Sequence, residues 1–165
     1  MYEVATDGSD FQRWLAGERE PTWERKRAWF GMLDRERVEG RRRIHVRLVE
    51  RPITSYTAYE CTWGYAPNLD HGQAVRVLDL GERHLPRGLP AVAGDDWWLV
   101  TDADGVHHVV VMRYDDRSHQ FLGAERPRAP IEEFLVVRDA LWEAAEDFGI
   151  WYTRHPELHR PVTAA

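Results

Sequence analysis

Apolar and polar positions recur with several different periods along this chain, and each change of period marks an element. Ser9, followed three residues later by Gln12, fits a capping box and predicts a short helix from Asp10 to about Gly17. Beyond Pro21 and Thr22, Trp23, Ala28, Trp29, Met32 and Leu33 recur at helical spacing up to Gly40, which predicts a longer second helix with a glycine at its end. Ile44, Val46 and Leu48 then alternate with His45, Arg47 and Val49, the period of a half-buried strand that Pro52 closes. Residues 53–65 carry two signals: Thr54, Thr57 and Thr62 favour strand, whereas Tyr56, Tyr59, Glu60 and Trp63 share one helical face. The shared face favours helix.

Residues 67–72 read as a loop and 75–80 as a short strand, while the glycines and prolines of 81–96 predict a surface loop. Three strand-like runs follow over 97–102, 106–115 and 120–125, and Asp104-Gly105 between the first two is a strong hairpin signal. After Pro127 and Pro130, the stripe Ile131, Phe134, Leu135, Leu141, Trp142, Ala145 and Phe148 predicts one long helix, with Glu132 and Glu133 opposing its N-terminal dipole. Pro156 and Pro161 mark residues 155–165 as a loosely held tail. The expected fold is α+β: an antiparallel sheet of about five strands, packed by N-terminal helices and a C-terminal helix, in one domain over residues 1–154.

Composition narrows the function. Twenty-two Lys and Arg against 28 Asp and Glu leave a net charge of −6, which disfavours nucleic acid as the primary partner. No apolar run approaches the roughly 20 residues of a membrane-spanning helix. The N-terminus, with Glu3, Asp7 and Asp10, lacks the basic and apolar regions of a secretory signal, so a cytoplasmic protein is expected. Cys61 is the single cysteine, which excludes an internal disulfide and a Cys-pair zinc site. Eight Trp among 165 residues are more than a core of this size needs, and Trp supplies large, rigid contact surface.

The candidate chemistry centres on carboxylates among aromatics. Glu60 shares its face with Tyr56, Tyr59 and Trp63, an environment that suits a general acid or base and equally a structural carboxylate paired with an Arg. Glu125 shares a strand face with Phe121 and Gly123, where the glycine either leaves room for a ligand or permits close backbone packing. Trp97 and Trp98 are adjacent on a strand and point to opposite faces, so only one of them can line a pocket. Arg113 and His107, on the same meander, complete the candidate ligand contacts. His155 and His159 have metal-ligand spacing, but Pro156 between them and the lack of a third neighbouring ligand argue against a metal. No glycine-rich phosphate loop is present, and no cofactor is expected. The cluster Arg41, Arg42, Arg43, Arg47 and Arg51 suits the negative end of the preceding helix.

The order of Phe11-Gln12-Arg13-Trp14-Leu15-Ala16-Gly17-Glu18, the 42–49 strand with Glu50-Arg51-Pro52, Tyr56-x3-Glu60, Asp96-Trp97-Trp98-Leu99 and Met112-Arg113-Tyr114-Asp115 leading to Phe121-Leu122-Gly123-Ala124-Glu125 resembles an actinobacterial domain-of-unknown-function family. Genes of that family often lie beside helix-turn-helix regulators, so the resemblance implies a regulatory or specialised-metabolism role by association. Ala58 stands where members tend to carry Arg, and the loop 68–72 and the pair His107-His108 also differ from the usual pattern. Two functions are therefore expected. One is a module that binds a small aromatic molecule or a regulator protein, with a homodimer among its possible states. The other is a cofactor-independent cyclase, isomerase or condensing enzyme acting on an aromatic substrate, using Glu60 or Glu125 with Tyr56 or Tyr59 as proton partner.

Overall fold

A computed structural model describes residues 10–115 and 121–159. The elements in chain order are α1 (Asp10–Leu15), α2 (Trp23–Val38), β1 (Ile44–Val49), α3 (Ser55–Tyr59), a π-helical stretch (Glu60–Tyr65), α4 (Ala66–Leu69), β2 (Ala74–Asp79), a 3-10 turn (Ala91–Gly94), β3 (Asp96–Thr101), β4 (His107–Tyr114), β5 (Phe121–Glu125), α5 (Ile131–Ala144), β6 (Glu146–Asp147), α6 (Phe148–Arg154) and a final 3-10 turn (Pro156–Leu158). The mixed α+β class holds, but the single antiparallel sheet does not. Among the described residues, six strands form two three-stranded sheets, ordered β1-β2-β6 and β3-β4-β5.

The chain divides into two compact units, one made of residues 85–144 and the other of 10–84 with 145–159. In the larger unit β1 pairs in parallel with β2, Ile44 opposite Ala74 through Val49 opposite Asp79. A parallel pair needs a long crossover, and the helical residues 55–69 supply it. That connection is what an antiparallel reading of the two strands overlooks. Within 53–65 the crossover is helical from Ser55 onward as its aromatic face predicts, with Thr54 capping α3 through a hydrogen bond accepted from Thr57 N at 3.1 Å. It also continues through α4, where a loop was expected.

Two further expectations are corrected here. The stripe from Ile131 to Phe148 is two helices, because residues 146–147 leave α5 to pair antiparallel with Val77 and Arg76 of β2. Asp147 then starts α6 by accepting hydrogen bonds from Gly149 N and Ile150 N. On β1 it is Val49 that is fully buried, with His45 and Arg47 on its face, whereas Ile44 is exposed. The core of this unit is Val49, Cys61, Tyr65, Val75, Val77, Phe148, Trp151 and Leu158. Leu158 belongs to the segment read as a tail; residues 160–165, like the Ser9 cap, lie outside the described residues.

The smaller unit is the expected meander. Gly105 at φ +79° turns the chain between β3 and β4. Conformation also explains Gly123: its φ is +140°, and a Cβ there would meet nothing within 4 Å, so close backbone packing does not require it. Helix α5 packs on β4, burying Val109, Val111, Phe134, Val137 and Leu141. The opposite sheet face carries Trp98, Val100 and Val110, all exposed.

Candidate functional site

In the larger unit the crossover carries Glu60 at the start of its π-helical stretch, a geometry that occurs mostly as local insertions and often at functional sites. Glu60 turns toward β1, where Arg47 NH2 lies 2.5 Å from its Oε2, each side chain about one-fifth exposed. Tyr65, on the same stretch, places its hydroxyl 3.4 Å from His45 Nε2. Tyr56 and Cys61 surround the pair. Burial pushes the Tyr56 phenol up to about 12, and the Glu60 charge adds to the shift against the opposing Arg47 charge. Burial likewise raises the Cys61 thiol to about 12, and it raises the Tyr65 phenol.

The aromatics expected around Glu60 also pack against α1. Tyr56, Tyr59 and Trp63 pack on Phe11 and Trp14 of α1, with ring centroids 5.2 Å apart for Phe11 and Tyr56, 5.3 Å for Phe11 and Tyr59, and 5.4 Å for Trp14 and Trp63 in an edge-on arrangement. Trp63 is 2% exposed. Part of the tryptophan surplus thus closes a short helix, which could not stay folded alone, onto the crossover.

The smaller unit holds a cleft of about 320 Å³, at the small end of the range for ligand pockets. Its buried side is Val92, Val111 and Phe134, its walls are Ala91, Pro127 and Ala129, and Arg113, Arg128 and Asp95 supply the charges. Arg113 donates from Nε to Glu125 Oε1 at 2.7 Å, with NH2 2.6 Å from the same oxygen, and NH1 is 4.0 Å from Asp95. Trp97 supports the cleft from behind: its ring meets Phe134 edge-on at 5.3 Å and its indole N–H donates to Val92 O at 3.0 Å. Trp98, on the other face, is 51% exposed. His107 sits at the hairpin end, its Nδ1 2.8 Å from Thr101 Oγ1.

Residues 1–153 match the family model described as Domain of unknown function (DUF6879). The chain belongs to that family. Neither the curated proteins nor the solved structures contain a match to this DUF6879 chain.

Within the DUF6879 fold the candidate residues fall into separate groups. Glu60, Tyr56, Tyr59 and Trp63 lie in the larger unit, and Glu125, Arg113, Trp97, Trp98 and His107 in the smaller one. Arg113 is the one that lines the cleft, with Glu125 as its partner and Trp97 as its support. General acid–base chemistry wants a group that titrates near neutral pH. The Arg113 hydrogen bond holds the Glu125 carboxyl below the usual carboxylate range, and Tyr56 is displaced upward, so both move away from neutrality. Sequence reasoning missed Arg47 as the Glu60 partner and Arg128 and Phe134 as cleft residues. The signal for Arg47 was its period-2 alternation with Val49, since a strand places both on one face.

The raised phenol and thiol carry a pH prediction. Each group keeps in the folded state a proton that the unfolded chain gives up at lower pH, so their stabilisation is complete below about pH 9 and is lost as pH rises toward about 12. Urea midpoints at about pH 8 and about pH 10.5 should show a marked drop at the higher value, and Tyr56→Phe should reduce that drop. Equal midpoints at both pH values would show that these groups are open to water.

Among the described residues, Asp79, Glu82 and His155 also converge, their ligand atoms all within 4.8 Å of one another. Arg51 and Arg154 flank them: Arg51 pairs with Asp79, its NH2 2.6 Å from Oδ2, and Arg154 with Glu82 at 3.1 Å.

Proposed function

We propose that this DUF6879 domain is a binding module for a small aromatic acid, seated in the cleft lined by Val111, Phe134, Arg113 and Arg128, in a regulatory or specialised-metabolism setting. The observation that carries the reading is a buried apolar surface with two guanidinium groups at its edge, the pairing that a flat apolar anion needs. A ring would lie against Phe134 and Val111. Its carboxylate would take donors of Arg128 and the Arg113 NH1 side, while Glu125 keeps the remaining face of Arg113.

Calorimetric titration with benzoate, phenylacetate and indole-3-acetate, and with their uncharged amides, tests this. At least one acid should bind saturably, its amide should bind at least about tenfold more weakly, and Arg113→Ala and Arg128→Ala should each cost about tenfold or more. No saturable binding by any acid, or equal affinity for acid and amide, rejects the reading.

A second reading, a module for a regulator protein, draws on a different feature. Trp98, Val100 and Val110 leave one face of the β3–β5 sheet apolar and exposed, a pattern that marks interaction surfaces. Trp98→Glu would abolish such an association and leave binding of the acid in the cleft unchanged.

A further inference from the structure

The convergence of Asp79, Glu82 and His155 has a chemistry that the cleft does not use. His155 ends α6, and its side chain is only 9% exposed. Its Nδ1 lies 2.8 Å from Glu157 Oε1, which orients the ring. The buried Nε2 makes no hydrogen bond among the described residues, yet it faces two carboxylates, with Glu82 Oε1 at 3.1 Å and Asp79 Oδ2 at 4.0 Å. An imidazole fixed by a carboxylate on one nitrogen and aimed at anionic oxygens with the other is the usual arrangement around a histidine that ligates a metal.

Distances and charge agree with an ion. Bonds of about 2.0–2.1 Å put two tetrahedral ligands of zinc about 3.3 Å apart, close to the Glu82 and His155 spacing; the Asp79 oxygen, 4.0 Å from His155 Nε2 and within 4.8 Å of the Glu82 oxygen, has to move toward both. Two carboxylates neutralise a divalent cation. Glu82 reaches the site from the turn after β2, which its own N–H closes onto Asp79 O at 3.0 Å, so the three ligands come from two rigid anchors. Arg51 is the competitor: it donates from Nε to Asp79 Oδ1 at 3.3 Å and from NH2 to Oδ2 at 2.6 Å. Its side chain is more than one-third exposed and its NH1 is already 3.9 Å from Glu157, so it has somewhere else to go. Asp79 would keep the Gly81 N–H at 2.9 Å and the Trp151 indole N–H at 3.2 Å.

We propose that Asp79 Oδ2, Glu82 Oε1 and His155 Nε2 form a site for a divalent transition-metal ion of the zinc type, which binds in exchange for the Arg51 guanidinium. The ion pins the β2 turn to the end of α6 and supplies that unit with a cross-link that its single cysteine cannot make.

Calorimetric titration of the chelator-treated full chain with zinc chloride tests the site. One equivalent should bind to the unaltered protein. His155→Ala and Glu82→Gln should each weaken binding by about tenfold or more, since even loss of an outer-shell partner costs that much, and Arg51→Ala should tighten it because the competitor is gone. Glu82 lies on an exposed turn, so Glu82→Gln keeps the fold even if His155→Ala does not. Zinc should also raise the thermal midpoint of the unaltered protein and not that of Glu82→Gln. Absence of stoichiometric binding, binding that Glu82→Gln leaves unchanged, or weaker binding in Arg51→Ala would each overturn the proposal.

Discussion

Replacing Trp151 with alanine is expected to remove about 3–5 kcal/mol of stability, the usual cost of deleting a large aromatic side chain from a closed core. Trp151 is 1% exposed and sits in the core where β1, β2, the crossover and residues 148–158 meet. Its ring centroid is 6.2 Å from that of Phe148 and 4.5 Å from that of His155, and its indole N–H donates to the buried Asp79 carboxylate at 3.2 Å. Truncation therefore opens a cavity and removes one of the donors that compensate a buried charge. Natural domains have only about 5–15 kcal/mol in total, so the variant should lose a large share of it and melt about 10 °C or more below the parent. Trp151→Phe keeps most of the volume and loses the donor, and should fall between the two. Urea unfolding followed by circular dichroism measures all three. A loss below about 1 kcal/mol for the alanine variant would mean that residues 148–154 do not close this core.

The same helix shows what could be read from the residues and what could not. The β3–β4 hairpin follows from local pattern and turn chemistry alone, and α2 forms where the spacing predicts it although only Leu33 of its apolar set is buried. The break between α5 and α6 does not, because the apolar stripe runs on through Ala145 and Phe148 and both residues are indeed buried. The interruption comes from Glu146 and Asp147 pairing with β2, a contact some 70 residues distant in the chain, and from the Asp147 cap. No local pattern shows that pairing. The partition into two sheets was hidden for a related reason. Strand patterns identify faces, not neighbours, and only the long helical connection between β1 and β2 distinguishes a parallel pair from a hairpin.

The candidate site divides along the same line. Carboxylates among aromatics were legible at Glu60, but their partners depended on tertiary pairing. A period-2 strand leaves open which face is inward, and taking Ile44, Val46 and Leu48 as the apolar face sends Arg47 outward, when it is the residue that meets Glu60. In the smaller unit Arg113 and Glu125 come together because β4 and β5 pair with Arg113 opposite Gly123 and Val111 opposite Glu125, a register that no local pattern specifies. Phe134 enters the cleft from α5, an element that sequence spacing assigned to packing alone.

Glu60→Leu is expected to cost about 3 kcal/mol, near the lower end of the range for breaking a buried ion pair because each partner is about one-fifth exposed. The loss comes mainly from what stays behind. Arg47 cannot discharge: burial disfavours its charge, but the neighbouring Tyr65 hydroxyl, Glu60 and Tyr56 raise it further above its ordinary range. Its Nε already lacks a hydrogen-bond partner among the described residues. Without Glu60 the guanidinium is a charge among Tyr56, Cys61 and Tyr65 with its counter-ion gone. Removing both charges in Arg47→Met/Glu60→Leu should therefore recover most of the loss, leaving the double variant within about 1 kcal/mol of the parent, and the cycle should give a coupling of at least about 2 kcal/mol, larger by whatever Arg47→Met costs alone. Such a coupling assigns Glu60 to structure: a carboxylate whose deletion is rescued by deleting its arginine serves the pair and not a reacting substrate. Additive losses would instead detach Glu60 from Arg47, and would return it to consideration as an acid or base beside Tyr56.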